Sequence, residues 1–171
     1  YAPTFGRPNQ LRLIYITYRR YNMQPRRVNV RGIVYKNGQI LAQQLKAYKD
    51  APFWCTPGGG LDEGESLVDG LRREFLEETG ITPVVGKLLF IQQFHDGKRE
   101  QMDMFFHIEN SDDFGDIDIS ATSHGDIEID KCAFIDPKVE HVLPEMLSTI
   151  DFELIINTDQ PVQIYNLLPT A

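Results

Sequence analysis

Three glutamates, Glu74, Glu77 and Glu78, stand at i, i+3 and i+4 just downstream of the run Gly58-Gly59-Gly60, and nothing else in the chain restricts its folding as much. Leu67, Val68, Leu71 and Phe75 recur at helical spacing. Ser66 is placed to cap the start and Gly80 to stop the end, so the spacing predicts a helix over 67–79. At 100° per residue the three carboxylates share an arc of roughly 100°. That arc overlaps the edge of the apolar stripe, so the carboxylates face the body of the protein. Like charges gathered there repel, and partial desolvation adds to the cost, so either their pKa values rise or a cation binds. An all-oxygen cluster suits a hard cation such as Mg2+ or Mn2+. The glycine run offers backbone carbonyls as further ligands, with no side chain in the way. The plainer alternative is a solvated helix face paired with Arg72 and Arg73.

The flanking sequence supplies strands. Residues 28–35 and 39–44 read as a hairpin turned at Asn37-Gly38. Residues 53–56 read as a short strand running into the glycine turn, and 84–94 and 102–108 as two more, joined by a polar turn at Asp96-Gly97-Lys98. An acidic loop is expected over 109–126, a strand over 128–135 and a helix over 137–150 despite Pro144; residues 152–171 have no clear assignment. Interleaved strands and helices predict an α/β (α+β) class, with a mixed sheet and helices packed on it. Residues 1–27, rich in aromatics and arginines, read as an N-terminal extension to a domain over 28–171.

A length of 171 residues suits one domain, and 42% apolar with 25% charged residues is an ordinary globular composition. The longest apolar stretches fall far short of the roughly 20 residues a membrane span needs. Tyr1 to Gln10 lacks the basic and apolar blocks of a secretory signal, so a cytoplasmic protein is expected. Cys55 and Cys132 are far apart and form no metal-type cluster, which makes them buried free thiols. A net charge of −8 argues against duplex nucleic acid as a partner and means that phosphate chemistry here requires metal ions.

The segment from Gly59 through Glu65, Arg73-Glu74-Phe75 and Glu77-Glu78 to Gly80-Ile81 resembles the Nudix box at every fixed position. The resemblance implies an α/β/α sandwich and a Mg2+- or Mn2+-dependent pyrophosphohydrolase. It implies that Glu74, Glu77, Glu78 and the carbonyl of Gly58 hold the metal, and that Glu65 and Arg73 form a supporting ion pair. A general base must take the proton of the attacking water. Glu78 is the first candidate, followed by Asp126 and Glu128, with His124 and Glu100 behind them.

Substrate marks are sparse. Residues 94–98 carry neither the proline common in the family's ADP-ribose hydrolases nor the tyrosine of its dinucleoside polyphosphate group. The expected substrate is a small nucleotide, with a nucleoside diphosphate linked to another moiety (ADP-ribose or a nucleotide sugar) ahead of a nucleoside triphosphate. A non-catalytic Nudix-fold nucleotide sensor is the rival reading. Arg31, Lys46 and Arg99 are candidate phosphate contacts, and Trp54, Phe53, Tyr18, Tyr21 and Phe94 candidate base-stacking groups. Nudix hydrolases are often dimers, and the aromatics of residues 1–27 offer a homodimer contact.

Overall fold

The computed structural model describes residues 25–168. Tyr18, Tyr21 and nearly all of the expected extension lie outside them; Arg27 already begins the sheet, and Arg26 pairs with Glu100 at 2.6 Å. Strands β1 (Arg27–Lys36) and β2 (Gln39–Leu45) meet at Asn37-Gly38, whose φ values of 52° and 82° are the positive pair a tight hairpin turn demands. After β3 (Gly58–Gly60) and helix α1 (Leu67–Thr79) come β4 (Val85–His95) and β5 (Glu100–Ile108). The short helix α2 (Gly125–Glu128) leads into β6 (Ile129–Ile135), and α3 (Phe152–Asn157) is followed by β7 (Gln163–Asn166). The strands form one mixed sheet in the order β6-β2-β1-β5-β4-β7, with β1 parallel to β5 and β4 parallel to β7.

One edge of β1 is shared. At Tyr35 and Lys36 it pairs with β2, while at Asn29 to Arg31 it pairs with the glycines of β3. The sheet is split there, and through the split the two faces communicate. On one face Val30, Val34, Leu41, Phe106 and Ile108 pack against Leu71 and Phe75 of α1. On the other, Ile33, Ile40, Phe90 and Phe105 pack against Leu147, Ile150, Phe152 and Ile155. Helices on both faces make the expected sandwich.

Two expected elements are corrected. Residues 53–56 do not form a strand of their own: Cys55 makes an isolated bridge to Gln43 and Trp54 one to Val142, and the strand begins at Gly58 instead. Residues 137–150 are not a helix. Pro144 cannot donate to a helical ladder, and the chain around it runs extended, with Trp54 N donating to His141 O at 2.9 Å and Leu143 N to Trp54 O at 2.8 Å. Only Glu145–Ser148 coils, as a single 3-10 turn. Glu128, expected at the start of a strand, ends α2. The acidic loop is anchored at Phe114, buried edge-on against Phe75 at 5.7 Å between ring centroids. The thiol of Cys55 is buried and that of Cys132 half-buried.

Gly32 in β1 sits under the Phe75 ring, where any Cβ would overlap the ring edge. Gly32→Ala is expected to destabilise the chain by about 1–3 kcal/mol, through displacement of Phe75 from its slot. Urea unfolding measures it, and an unchanged midpoint would refute the tight seating of α1.

Candidate functional site

α1 forms where its caps dictate. The Ser66 hydroxyl accepts from Asp69 N, and Gly80 closes the helix with φ 72°. On its inner edge Glu78 is buried, while the Glu74 and Glu77 side chains are 15% and 26% exposed, so the carboxylate arc does face the protein body. The turn opposite approaches closely because it is glycine. Gly58 has φ 123°, and a Cβ there would overlap the Val30 carbonyl; at Gly59 a Cβ would stand 2.6 Å from Glu74 Oε2.

Arg73 ties these parts together. Its Nε and Nη2 donate to the two oxygens of Glu65 at 2.9 and 3.0 Å, the bidentate pair the resemblance implied. Nη2 also donates to Gly60 O at 3.0 Å, and Nη1 to Glu74 at 2.9 Å and Glu77 at 3.1 Å. The hydrogen bonds from Arg73, then the one from Asp62 N, hold the Glu65 carboxyl below its ordinary range.

Glu78 is held differently. Its Oε2 accepts from Gly58 N at 2.8 Å and its Oε1 from the buried amide of Gln43 at 2.8 Å. Burial pushes its carboxyl up to about 7, against the pull of those two donors and of Arg31. The other amide atom, Gln43 Oε1, is buried with no partner. It is positioned as the acceptor that a protonated Glu78 would use after an amide flip.

Among the described residues no three acidic, histidine or cysteine side chains close around one point. Arg73 fills the space between Glu74 and Glu77. The donors nevertheless fit a hard cation: three carboxylates and a glycine turn, all oxygen, with room kept at Gly59 for the Glu74 carboxylate. Gly58 O itself accepts from Arg31 Nη1 at 2.5 Å.

Arg31 is not a surface cation. It crosses at the split in the sheet, donates also to Thr56 O at 3.2 Å, and faces Asp103 at 3.7 Å. It thereby borders a cavity of about 720 Å3 on the face away from α1. That volume lies within the range of small-ligand sites. Phe53 and Phe94, two of the expected stacking groups, line it; Trp54 does not, and its indole donates to Glu140 at 3.1 Å. Lys46 donates to the carbonyl of Asp126, and Arg99 lies in the β4–β5 turn, outside the cavity wall. Glu128 and Asp126 are exposed on α2, whose preceding residue His124 reaches Glu77 at 3.2 Å.

Inspection of the sequence alone passed over Asn29, Gln92, Gln101 and Asp103, buried polar groups on the cavity floor, and Gln43 beside Glu78. The available signal was polar residues at alternate positions on one face of the otherwise apolar strands β1, β4 and β5.

The Glu78 carboxyl binds its proton more tightly folded than at the ordinary value of 4.5, so its contribution to stability is complete below about pH 4.5 and is lost as pH rises through about 7. In a chelator-treated sample, Glu78→Gln is therefore expected to gain roughly 2 kcal/mol on the unaltered chain between pH 5 and pH 8. Thermal unfolding at the two pH values measures this, and a constant gap between the two proteins would contradict it.

Known proteins resemble this chain in sequence and in fold. The chain is 38% identical over 61 residues to a putative 8-oxo-dGTP diphosphatase of Bacillus subtilis, covering 36% of this chain and 39% of that protein. It is 38% identical over 68 residues to Nudix hydrolase 7 of Arabidopsis thaliana, covering 39% of this chain and 24% of the relative. The chain thus spans well under half the length of these curated relatives. The fold matches the solution structure of the E. coli ORF135 protein with a TM-score of 0.60 at 22% identity, over 80% of this chain and 94% of that one. The NUDIX domain family itself matches over residues 25–147, from the start of β1 past β6, and the chain belongs to that family.

Proposed function

We propose that this chain is a divalent-metal-dependent pyrophosphohydrolase acting on a small nucleotide, with a nucleoside diphosphate linked to a second group ahead of a triphosphate. The observation that carries the reading is the adjoining of two parts at Arg31. On one side lie Glu74, Glu77 and Glu78 beside the Gly58 turn, and on the other a roomy cavity with aromatic walls. Family membership and the names of the relatives, diphosphatase and hydrolase, support the reaction class.

In this reading Glu74, Glu77, Glu78 and the Gly58 carbonyl hold Mg2+ or Mn2+. Bound there, such an ion would supply screening of the pyrophosphate charge and acidification of a water. Arg73 would keep its bidentate hold on Glu65 and its bond to Gly60 O, and would yield its single contacts to Glu74 and Glu77. Arg31 supplies positive charge where the cavity meets the Gly58 turn. Glu78, buried beside the Gly58 turn at the carboxylate cluster, is the first candidate to accept the proton of the attacking water. Glu128 is the second candidate for that role, on the loop whose His124 touches Glu77.

With Mg2+ and a panel of nucleoside diphosphate derivatives and triphosphates, Glu77→Gln and Glu78→Gln are each expected to lower turnover by roughly a hundredfold or more while the fold is retained. Glu128→Gln is assayed alongside: a loss greater than that of Glu78→Gln would transfer the base role to Glu128. Metal-dependent binding of the panel without released phosphate products would replace the hydrolase with a nucleotide sensor.

A further inference from the structure

The floor of the cavity carries an ordered row of polar groups. In register, Asn29 of β1 lies beside Asp103 of β5, Asp103 opposite Gln92 of β4, and Gln92 beside Tyr165 of β7. Neighbours in such a row point to the same face, and all four line the cavity. Asn29, Asp103 and Gln92 are each 5% exposed or less. Polar groups so deeply buried are costly unless matched.

The matching within the row is incomplete. Asn29 Nδ2 donates to Asp103 Oδ1 at 2.5 Å and to Gln101 Oε1 at 3.0 Å, and Gln101 in turn donates to Asp96 at 2.6 Å. Asp103 Oδ2 has only the distant Arg31 Nε at 3.7 Å, beyond hydrogen-bond length. The Gln92 carboxamide makes no hydrogen bond to the described residues, although it lines the cavity. The floor therefore offers a carboxylate oxygen with spare acceptor capacity, beside a free amide that can donate or accept.

We propose that Asp103, set between Asn29 and Gln92, selects a 2-amino-6-oxopurine, the guanine-type edge, over adenine and the pyrimidines. The proposal rests on reading the cavity as the nucleotide site. A carboxylate only accepts, and the guanine edge presents two adjacent donors, the ring N–H and the 2-amino group, which it can take bidentately. Adenine places a ring-nitrogen lone pair next to its amino donor, as cytosine does, and uracil flanks its single N–H with two carbonyls; each leaves a lone pair facing Asp103. The Gln92 amide N–H then serves the 6-oxo group. Phe53 and Phe94 flank the ring as apolar walls. Among nucleoside diphosphate derivatives this favours guanosine over the adenosine of ADP-ribose.

The test is calorimetric titration of the full chain with GMP, IMP, AMP and UMP, without turnover. GMP is expected to bind about tenfold or more tightly than AMP and UMP. It is also expected to bind several-fold more tightly than IMP, which lacks the 2-amino group. Asp103→Asn is expected to erase the preference for GMP, with circular dichroism checking its fold. Should that variant fail to fold, the comparison of GMP with IMP and AMP on the unaltered chain decides alone. Equal affinity for GMP and AMP, no binding of GMP, or a preference that survives in a folded Asp103→Asn overturns the proposal. Selective GMP binding by a chain that hydrolyses nothing would refute the hydrolase reading alone, and hydrolysis blind to the base would refute this inference alone.

Discussion

The guanidinium of Arg73 is the group on which the site depends. One planar cation holds Glu65, the Gly60 carbonyl, Glu74 and Glu77. The residues between β3 and α1 have little apolar side chain to anchor them, so their path is set by polar contacts. Glu65 contributes twice, by taking Arg73 and by accepting from Asp62 N at 3.1 Å. Without this cation the half-buried carboxylates of α1 would repel one another across a few ångströms, and helix and turn would separate. The same cation makes the cluster adaptable. Its bidentate contact secures the scaffold, whereas its single contacts to Glu74 and Glu77 are of the kind a metal ion can take over.

The carboxylate cluster and the cavity occupy opposite faces of one sheet. The carboxylates lie on the α1 face and the cavity on the other, and they meet only because β3 displaces β2 from the first half of β1. Gly58 is what lets β3 enter, since its backbone presses on Val30 where no Cβ fits. Arg31, directly opposite Gly58 in register, spans the resulting opening, with two turn carbonyls on one side and Asp103 on the other. A single side chain thus touches both the Gly58 carbonyl and the cavity wall.

Helix α1 was legible residue by residue, from Ser66 to Gly80, because caps and apolar periodicity are local signals. The hairpin at Asn37-Gly38 was legible for the same reason. Residues 53–56 and 137–150 were not. Trp54 pairs with His141 and Leu143, almost ninety positions away, and Cys55 with Gln43, and no local pattern records such pairings. The tail was equally opaque: β7 exists because β4 offers an edge, and α3 because Phe152 and Ile155 fill the core beneath it.

The sequence by itself determined the box, its helix and the three carboxylates on one arc, because these lie within 24 consecutive residues whose spacing is the geometry, while the ion pair of Glu65 with Arg73 was implied by the family resemblance. Only the tertiary structure decided which groups meet the box from outside it. Gln43 reaches Glu78, Arg31 joins the turn to Asp103, and Asn29, Asp103 and Gln92 align across three strands. Their adjacency is set by strand order and register, which depend on how the whole core packs rather than on any one stretch of chain.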